Sequence, residues 1–560
     1  MSTALFARSA GLCLVALAFL MPGHYLPWAT FQGQWVAALG TALVLVGAAV
    51  AAGRGGHRVP TPVLALLALL SAAVPPLQWA AGQILFVSDA LLPAAYLAAF
   101  GLACIGAAVW AQHGRESWLD HLFAAFIVAG AVSVGLALLQ WLSIGLGGLW
   151  VAAIPPGARP FANLGQPNQL AILLVLALVG AARAHERKAI GQLATLTLMS
   201  WLAFGLVMTQ SRTGWLIIAL LSAWWFLMRR RARLSLSPTT VTVATLLFAL
   251  AIVSWDALNA ALQLTRLNDL NERLQAGPRS LIWQTLLAAV ERSPWTGYGF
   301  NQVVLGHQAV AADMPPVQRM LENAHNAVLD AALWAGLPFA LVWCVAVLAW
   351  LWARIRACRS ADDWSVLAAV GTVLVHAMVE FPLDHAYFVL PLGLLMGSFQ
   401  RPTVAARRQP VAWALALPVL ALTALLFVIG SEYLRVEQAN RHVRLALFGI
   451  GDPSGAAAAP PDVRLLDAPR EYHRLMLTRA RPEMSVQELD WMKRVTQRHA
   501  FPPAMMRYAL AAGLNSRSDE ATLTLKRLCA MHAPPRCEES REAWRAAQQR
   551  WPSLAAIPVP

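Results

Sequence analysis

An all-α polytopic membrane protein is the fold class this sequence predicts, and three observations predict it. Hydrophobic residues make up 58% of the chain and charged residues only 13%, where a soluble protein carries about 25% charged residues. Mean hydropathy is +0.54. Finally, apolar runs of about 20 residues, enough to cross a bilayer as helix, alternate with short breaks. About thirteen such runs meet that criterion, centred near residues 15, 43, 69, 100, 131, 175, 198, 220, 247, 338, 371, 392 and 420.

The first run, residues 12–21, follows Arg8 as a signal peptide would. No small-residue cleavage site precedes Pro22 and further spans follow, so it reads as a retained helix. Basic clusters then recur in alternate breaks: Arg54 with Arg58, Arg115, Arg183 with Arg187 and Lys188, Arg229 to Arg233, Arg354 to Arg359, and Arg401 to Arg408. The intervening breaks at 22–34, 77–89 and 381–387 are nearly free of Lys and Arg. Basic short loops stay in the cytoplasm, so the N-terminus is expected inside and, with an odd number of spans, the C-terminus outside. The net charge of +14 is thus mostly topological. No basic face with interleaved aromatics speaks for nucleic acid.

Four regions follow: N-terminal spans over 1–255, a large outer loop over 256–324, C-terminal spans over 325–430, and a polar, helical, periplasmic domain over 431–560. The loop carries Arg266, Arg273, Arg279, Arg292 and Arg319. In the tail, the segments beginning at Asp490 and Asp519 read as helix starts with acidic first turns. The stretch 451–461 reads as a flexible loop. Of six cysteines, Cys529 and Cys537 lie in this tail, where an oxidising compartment favours a disulfide.

The outer breaks hold the chemistry. His325 follows Glu322 at the membrane edge after the cationic loop; it is a titratable ring near neutral pH, and the position also suits a residue that caps a helix. The break 158–169 offers Arg159, Asn163, Gln166, Asn168 and Gln169, donors suited to sugar hydroxyls and phosphates; a loop capping the next helix is the plainer reading. Arg212 stands among Gln210, Ser211 and Thr213, placed for phosphate or for snorkelling to headgroups. Arg279 precedes a short amphipathic helix over 281–290, and its planar fork matches phosphate oxygens. Glu380, Asp384, His385 and Tyr387 crowd one short turn. Trp283, Trp295, Tyr298 and Phe300 suit stacking on sugars or interfacial anchoring. No phosphate-loop, zincin or nucleophile-elbow signature occurs. No metal or cofactor is expected: Glu-x-x-His occurs once, whereas di-iron bundles repeat it with further glutamates.

His325-Asn326, nine residues, then Gly336 resembles the His-[Asn/Ser/Gln]-x9-Gly signature of O-antigen ligases and polymerases. The 158–169 segment is similar, more specifically, to bacterial protein O-oligosaccharyltransferases of the pilin-glycosylating PglL type. The likeness covers nearly the whole chain, polar tail included. It implies an inner-membrane enzyme that moves an oligosaccharide en bloc from undecaprenyl pyrophosphate to a Ser or Thr hydroxyl of an exported protein. It implies that His325 is the essential histidine, that Arg212 and Arg279, joined by Arg159, hold the pyrophosphate, and that Gln166 or Gln169 is a functional amide. Tyr387 matches a functional tyrosine; Asn168, Glu322, Asn326 and His385 complete the expected glycan and acceptor contacts. Phe339, where ligases often carry a small or hydroxyl residue, departs from the pattern. The same chemistry would serve a lipopolysaccharide ligase or a polymerase. A glycan transporter would show internal repeats and midplane polar groups, which are not seen.

Overall fold

The computed structural model describes residues 3–55, 59–145, 148–264, 279–399, 412–447 and 459–559. Arg58, Arg266, Arg273, the 401–408 cluster and most of the 451–461 stretch lie outside them. The α-helices among the described residues are α1 (Thr3–Ala18), α2 (Phe31–Gly55), α3 (Val63–Ser71), α4 (Val74–Ala80), α5 (Val87–Gln112), α6 (Arg115–Trp141), α7 (Pro167–Glu186), α8 (Gln192–Thr209), α9 (Arg212–Ala232), α10 (Pro238–Val253), α11 (Trp255–Ala261), α12 (Arg279–Arg292), α13 (Val303–Val310), α14 (Ala327–Ala357), α15 (Ala361–Ala377), α16 (Ala386–Gly397), α17 (Trp413–Leu447), α18 (Asp467–Leu477), α19 (Val486–Arg498), α20 (Pro502–Leu514), α21 (Ser518–Met531) and α22 (Pro534–Arg550).

Every predicted span centre falls on one of these helices. By length and composition, however, eight described segments can cross a membrane, with α3 and α4 counted together as Val63–Ala80, or nine if α10 and α11, bent by 53°, make one span. The lower count has a physical reason. Helices α1, α15 and α16 have 16, 17 and 12 residues, and 12 residues span roughly 18 Å of a hydrocarbon core of about 30 Å. Helix α9 is long enough but carries Arg212 and three further arginines in its last turn.

The chain divides into two compact units. The first comprises Met1–Leu70, Tyr96–Gln275 and Val345–Phe427; the second comprises Ser71–Ala95, Ala276–Cys344 and Val428–Pro560.

In the first unit, α1 packs on α2 through glycines. A Cβ on Gly11 would lie 2.4 Å from the Gly40 carbonyl oxygen, and one on Gly40 would lie 2.6 Å from that of Gly11. Small residues let two backbones touch where lipid supplies no hydrophobic drive. Helix α7 is buried from Gln169 to Arg183. Arg183, 2% exposed, bonds Asp120 and, at 2.8 Å, Asp362. Arg115 pairs with Asp363 at 2.9 Å and donates to the Ser398 carbonyl. These arginines therefore also tie α6, α7, α15 and the end of α16 together, as a buried charge requires.

In the second unit, the tail helices enclose Leu475, Leu489, Met492, Val495, Tyr508, Leu525 and Trp544. Helix α19 begins at Val486, with Ser485 accepting from the Glu488 amide at 3.1 Å. The Ser-x-x-Glu pattern is a capping box, so Asp490 lies inside the helix, not at its start. Helix α21 does begin with Asp519 and Glu520 in its first turn. Cys529 and Cys537 are disulfide-bonded, joining the end of α21 to α22. Ile282, Leu286, Val303, Leu321 and Leu333 form a second core under the loop.

Helix α14 is broken. Ala335 (φ −143°, ψ 18°) and Gly336 (φ 84°, ψ 170°) leave the helical region, two residues before Pro338. Only glycine tolerates that Gly336 conformation, and a Cβ there would lie 2.2 Å from the Trp295 carbonyl oxygen. The nine-residue spacing from Asn326 to Gly336 thus measures one short half-helix, 327–334.

Candidate active site

His325 sits between two anchored neighbours. The Ala324 amide donates to Asp330 Oδ1 at 2.7 Å, and its carbonyl accepts from Trp283 Nε1 at 2.9 Å. Asn326 Oδ1 accepts from the Val328 and Leu329 amides, both at 3.1 Å. Asn326, not His325, is therefore the cap of α14, which removes the helix-cap reading of the histidine. His325 itself adopts φ 51°, a left-handed conformation uncommon outside glycine. The half-buried ring lies 2.8 Å, through Nε2, from Arg319 Nη2. A guanidinium only donates, so Nε2 is the acceptor in this contact. Arg319, present in the cationic loop but not singled out in the sequence, is the residue this site adds. Nothing periodic marks it, because it reaches His325 through an irregular loop.

Arg279 opens α12 four residues before Trp283. Residues at i and i+4 share a helix face, so Arg279 lies on the face that holds the Ala324 carbonyl. Glu322 is exposed. Of the four loop aromatics, Phe300 is 3% exposed, stacks on Trp334 at 5.2 Å and meets Phe339 edge-on. Tyr298 donates to the Ala289 carbonyl at 2.9 Å. Core packing thus takes up Phe300, and Phe339 is its partner. Trp295 remains 75% exposed.

The first unit gathers a second group of the sequence-predicted site residues around the N-terminus of α7. Arg159 Nε donates to the Thr209 carbonyl at 2.8 Å, and its Nη2 to Asn168 Oδ1 at 3.2 Å. Asn168 Oδ1 also accepts from Ser211 Oγ at 2.9 Å, and Nδ2 donates to Glu380 Oε1 at 2.8 Å. Ser211 caps α9, accepting from the Gly214 amide, so Arg212 stands at the first helical position. Gln210, left-handed at φ 47°, closes α8.

One residue on, Gln169 Nε2 donates to His385 Nε2 at 3.0 Å, while His385 Nδ1 faces the Phe381 carbonyl at 3.3 Å. Tyr387 OH donates to Gln169 Oε1 at 2.8 Å. Burial pushes His385 down to about 4, and a neutral ring satisfies both contacts. Gln166 is the α7 N-cap residue, and no side-chain cap bond forms there. Asn163 is structural: its amide holds the Ala152 amide and the Leu20 and Trp150 carbonyls. Gln140, a buried amide that sequence reading passed over, secures the same loop at Ala152, Phe161 and Ala162. A lone glutamine in an apolar span was its signal.

Two family models match the chain: O-antigen ligase over residues 196–344, and virulence factor membrane-bound polymerase, C-terminal, over residues 364–551. The chain is thus similar to O-antigen ligases over the first of these segments and to the polymerase C-terminal region over the second. It is 27% identical over 547 residues to a general O-oligosaccharyltransferase of Acinetobacter baylyi (strain ATCC 33305 / BD413 / ADP1), covering 93% of this chain and 91% of that protein. It is 25% identical over 330 residues to a ComP-specific O-oligosaccharyltransferase of the same organism, covering 57% and 58% respectively. Both relatives are named as oligosaccharyltransferases.

Proposed function

We propose that this protein transfers an oligosaccharide en bloc from undecaprenyl pyrophosphate to a Ser or Thr hydroxyl of an exported protein, at the periplasmic face of the bacterial inner membrane. The observation that carries the reading is the presentation of His325: a half-buried ring on a left-handed residue, fixed by Ala324 and Asn326 on either side. Likeness over most of the chain to a general O-oligosaccharyltransferase favours a protein acceptor.

The acceptor oxygen forms a bond to the anomeric carbon as the bond from that carbon to the phosphate oxygen breaks. The lipid pyrophosphate leaves with the electron pair, and direct displacement inverts the anomeric centre. Arg212 and Arg279, with Arg159, stabilise the charge gathering on the leaving group, as fixed donors do without reorganising. His325 takes the hydroxyl proton, a role that typically contributes about 10²–10⁴-fold. Its Nε2 lone pair is held by Arg319 in this structure, so base catalysis there requires Arg319 to move to the incoming phosphates. Gln166, Asn168, Gln169, Glu322, Asn326, His385 and Tyr387 contact or orient the glycan and acceptor.

The test is expression in a bacterial strain that makes a lipid-linked glycan, with pilin-like proteins and lipopolysaccharide core both present. Glycan on the protein, lost in His325→Ala at equal expression, is the expected result. Glycan on the core instead would make the protein a lipopolysaccharide ligase, and elongated lipid-linked chains would make it a polymerase. Normal glycosylation by His325→Ala would remove the histidine from the mechanism.

A further inference from the structure

The half-helix 327–334 that follows His325 is held at its far end by side-chain amides from elsewhere in the chain. A helix C-terminus leaves carbonyls without intrahelical partners. Here the Leu333 carbonyl accepts from the Tyr298 amide at 2.6 Å, and the Trp334 carbonyl from the Gly299 amide at 3.1 Å. Gln78 Nε2 donates to that same Trp334 carbonyl at 2.9 Å, while its Oε1 accepts from the Phe300 amide at 3.1 Å. Gln83 Nε2 donates to the Thr296 and Gly297 carbonyls at 3.0 and 2.9 Å. Gln302 Nε2 donates to the Gln83 and Tyr298 carbonyls at 3.0 and 2.6 Å, and its Oε1 accepts from the Leu85 amide at 3.0 Å. Gln78 is 8% exposed and Gln302 is fully buried. Buried amides with both ends satisfied rigidify what they join.

The geometry points to Gln78, Gln83 and Gln302 as positioning residues for His325. They bind the turn that ends α4, residues 78–85, to the 294–302 loop, and the loop to the break at Ala335–Gly336. The half-helix is thereby fixed at its C-terminal end as Asn326, Asp330 and Trp283 fix its N-terminal end. A helical segment of about two turns is stiff, so its far end sets the height and rotation of the histidine. The inference rests on the transferase reading for its kinetic part and on geometry alone for its structural part.

Two measurements on purified full-length protein in lipid nanodiscs test it. The first is amide hydrogen exchange at Tyr298, Gly299 and Leu337, the last of which donates to the Pro294 carbonyl at 2.7 Å. Gln78→Met, which keeps length and removes hydrogen bonding, should speed exchange at these amides by tenfold or more, on the order of one lost hydrogen bond. Unchanged exchange overturns the clamp whatever the protein's activity. The second is transfer kinetics with the lipid-linked donor. Displacing a reacting group by about 1 Å can cost roughly 10²-fold. Gln78→Met should therefore lower kcat by at least about tenfold, and the more peripheral Gln83→Met by about threefold, with donor and acceptor KM unchanged. A raised KM with unchanged kcat, or full kcat in a variant whose melting temperature matches the wild type, overturns the positioning role. Absence of transfer by the wild type counts against the proposed function, and the exchange result then decides the clamp by itself.

Discussion

His325 is made available by its neighbours. Ala324 and Asn326 absorb the backbone bonds, and the strained left-handed residue between them turns its ring outward; strain of this kind costs about 1–3 kcal/mol and persists only where surroundings impose it. The histidine and Asn326 were legible because their spacing to Gly336 matches a signature. Arg319 was not, because its meaning is a contact across an irregular loop and loops carry no period. Arg319→Gln keeps a donor but loses the charge. If the guanidinium leaves Nε2 for the donor phosphates, donor KM should rise and kcat/KM fall by roughly tenfold, about 1.4 kcal/mol, with acceptor KM unchanged. Steady-state kinetics with each substrate varied decides this, and faster transfer would instead make Arg319 an inhibitor of His325. Of the amides of 158–169, Asn168 and Gln169 bond other predicted candidates, Arg159, His385 and Tyr387. Asn163 serves the loop backbone, and composition cannot separate those two uses.

At the scale of elements, apolar runs placed every helix long enough to span a membrane, because burial in lipid and burial in protein both select the same side chains. The runs did not show which helices are too short to span, nor that α14 breaks. Gly336 was visible in the sequence, yet its reason lies in the Trp295 carbonyl that a Cβ would strike. Gly336→Ala should cost about 2–4 kcal/mol, from the left-handed backbone and the clash together. A lowered melting temperature and loss of transfer are expected; a variant as stable as the wild type would show that the loop yields freely. The 77–89 break was read only for its lack of Lys and Arg. Its glutamines Gln78 and Gln83 were the informative residues, and pattern alone could not say what backbone they met.

For the molecule as a whole, the tail's helical character was legible from composition, while the way it closes on the loop was not. Helix α13 meets the start of α20 and the end of α21 over Val304, Ala311, Met505, Leu528 and Met531, with two histidines buried alongside. His307 is 1% exposed, and burial, reinforced by His532, pushes it down to about 4. The folded value lies below the ordinary 6.5, so the native state favours the neutral ring. Its stabilising contribution is complete above about pH 6.5 and is lost as pH falls toward 4, by up to roughly 3 kcal/mol. Melting temperatures taken from pH 7.5 to 4.5 should fall for the wild type and fall less for His307→Leu. Parallel curves would clear His307 of the effect.

Asp89 accepts from Arg498 at 2.8 Å and from Asn301 at 3.3 Å, and Asp467 receives the Val87 and Ser88 amides. The first of these partners stand 409 positions apart. On the ribosome, the early turn must wait for α19 to emerge before the Asp89 carboxylate finds its cation. The turn that fastens the histidine's half-helix is itself finished late, so a nascent chain reaches its complete geometry there only after residue 498 has emerged.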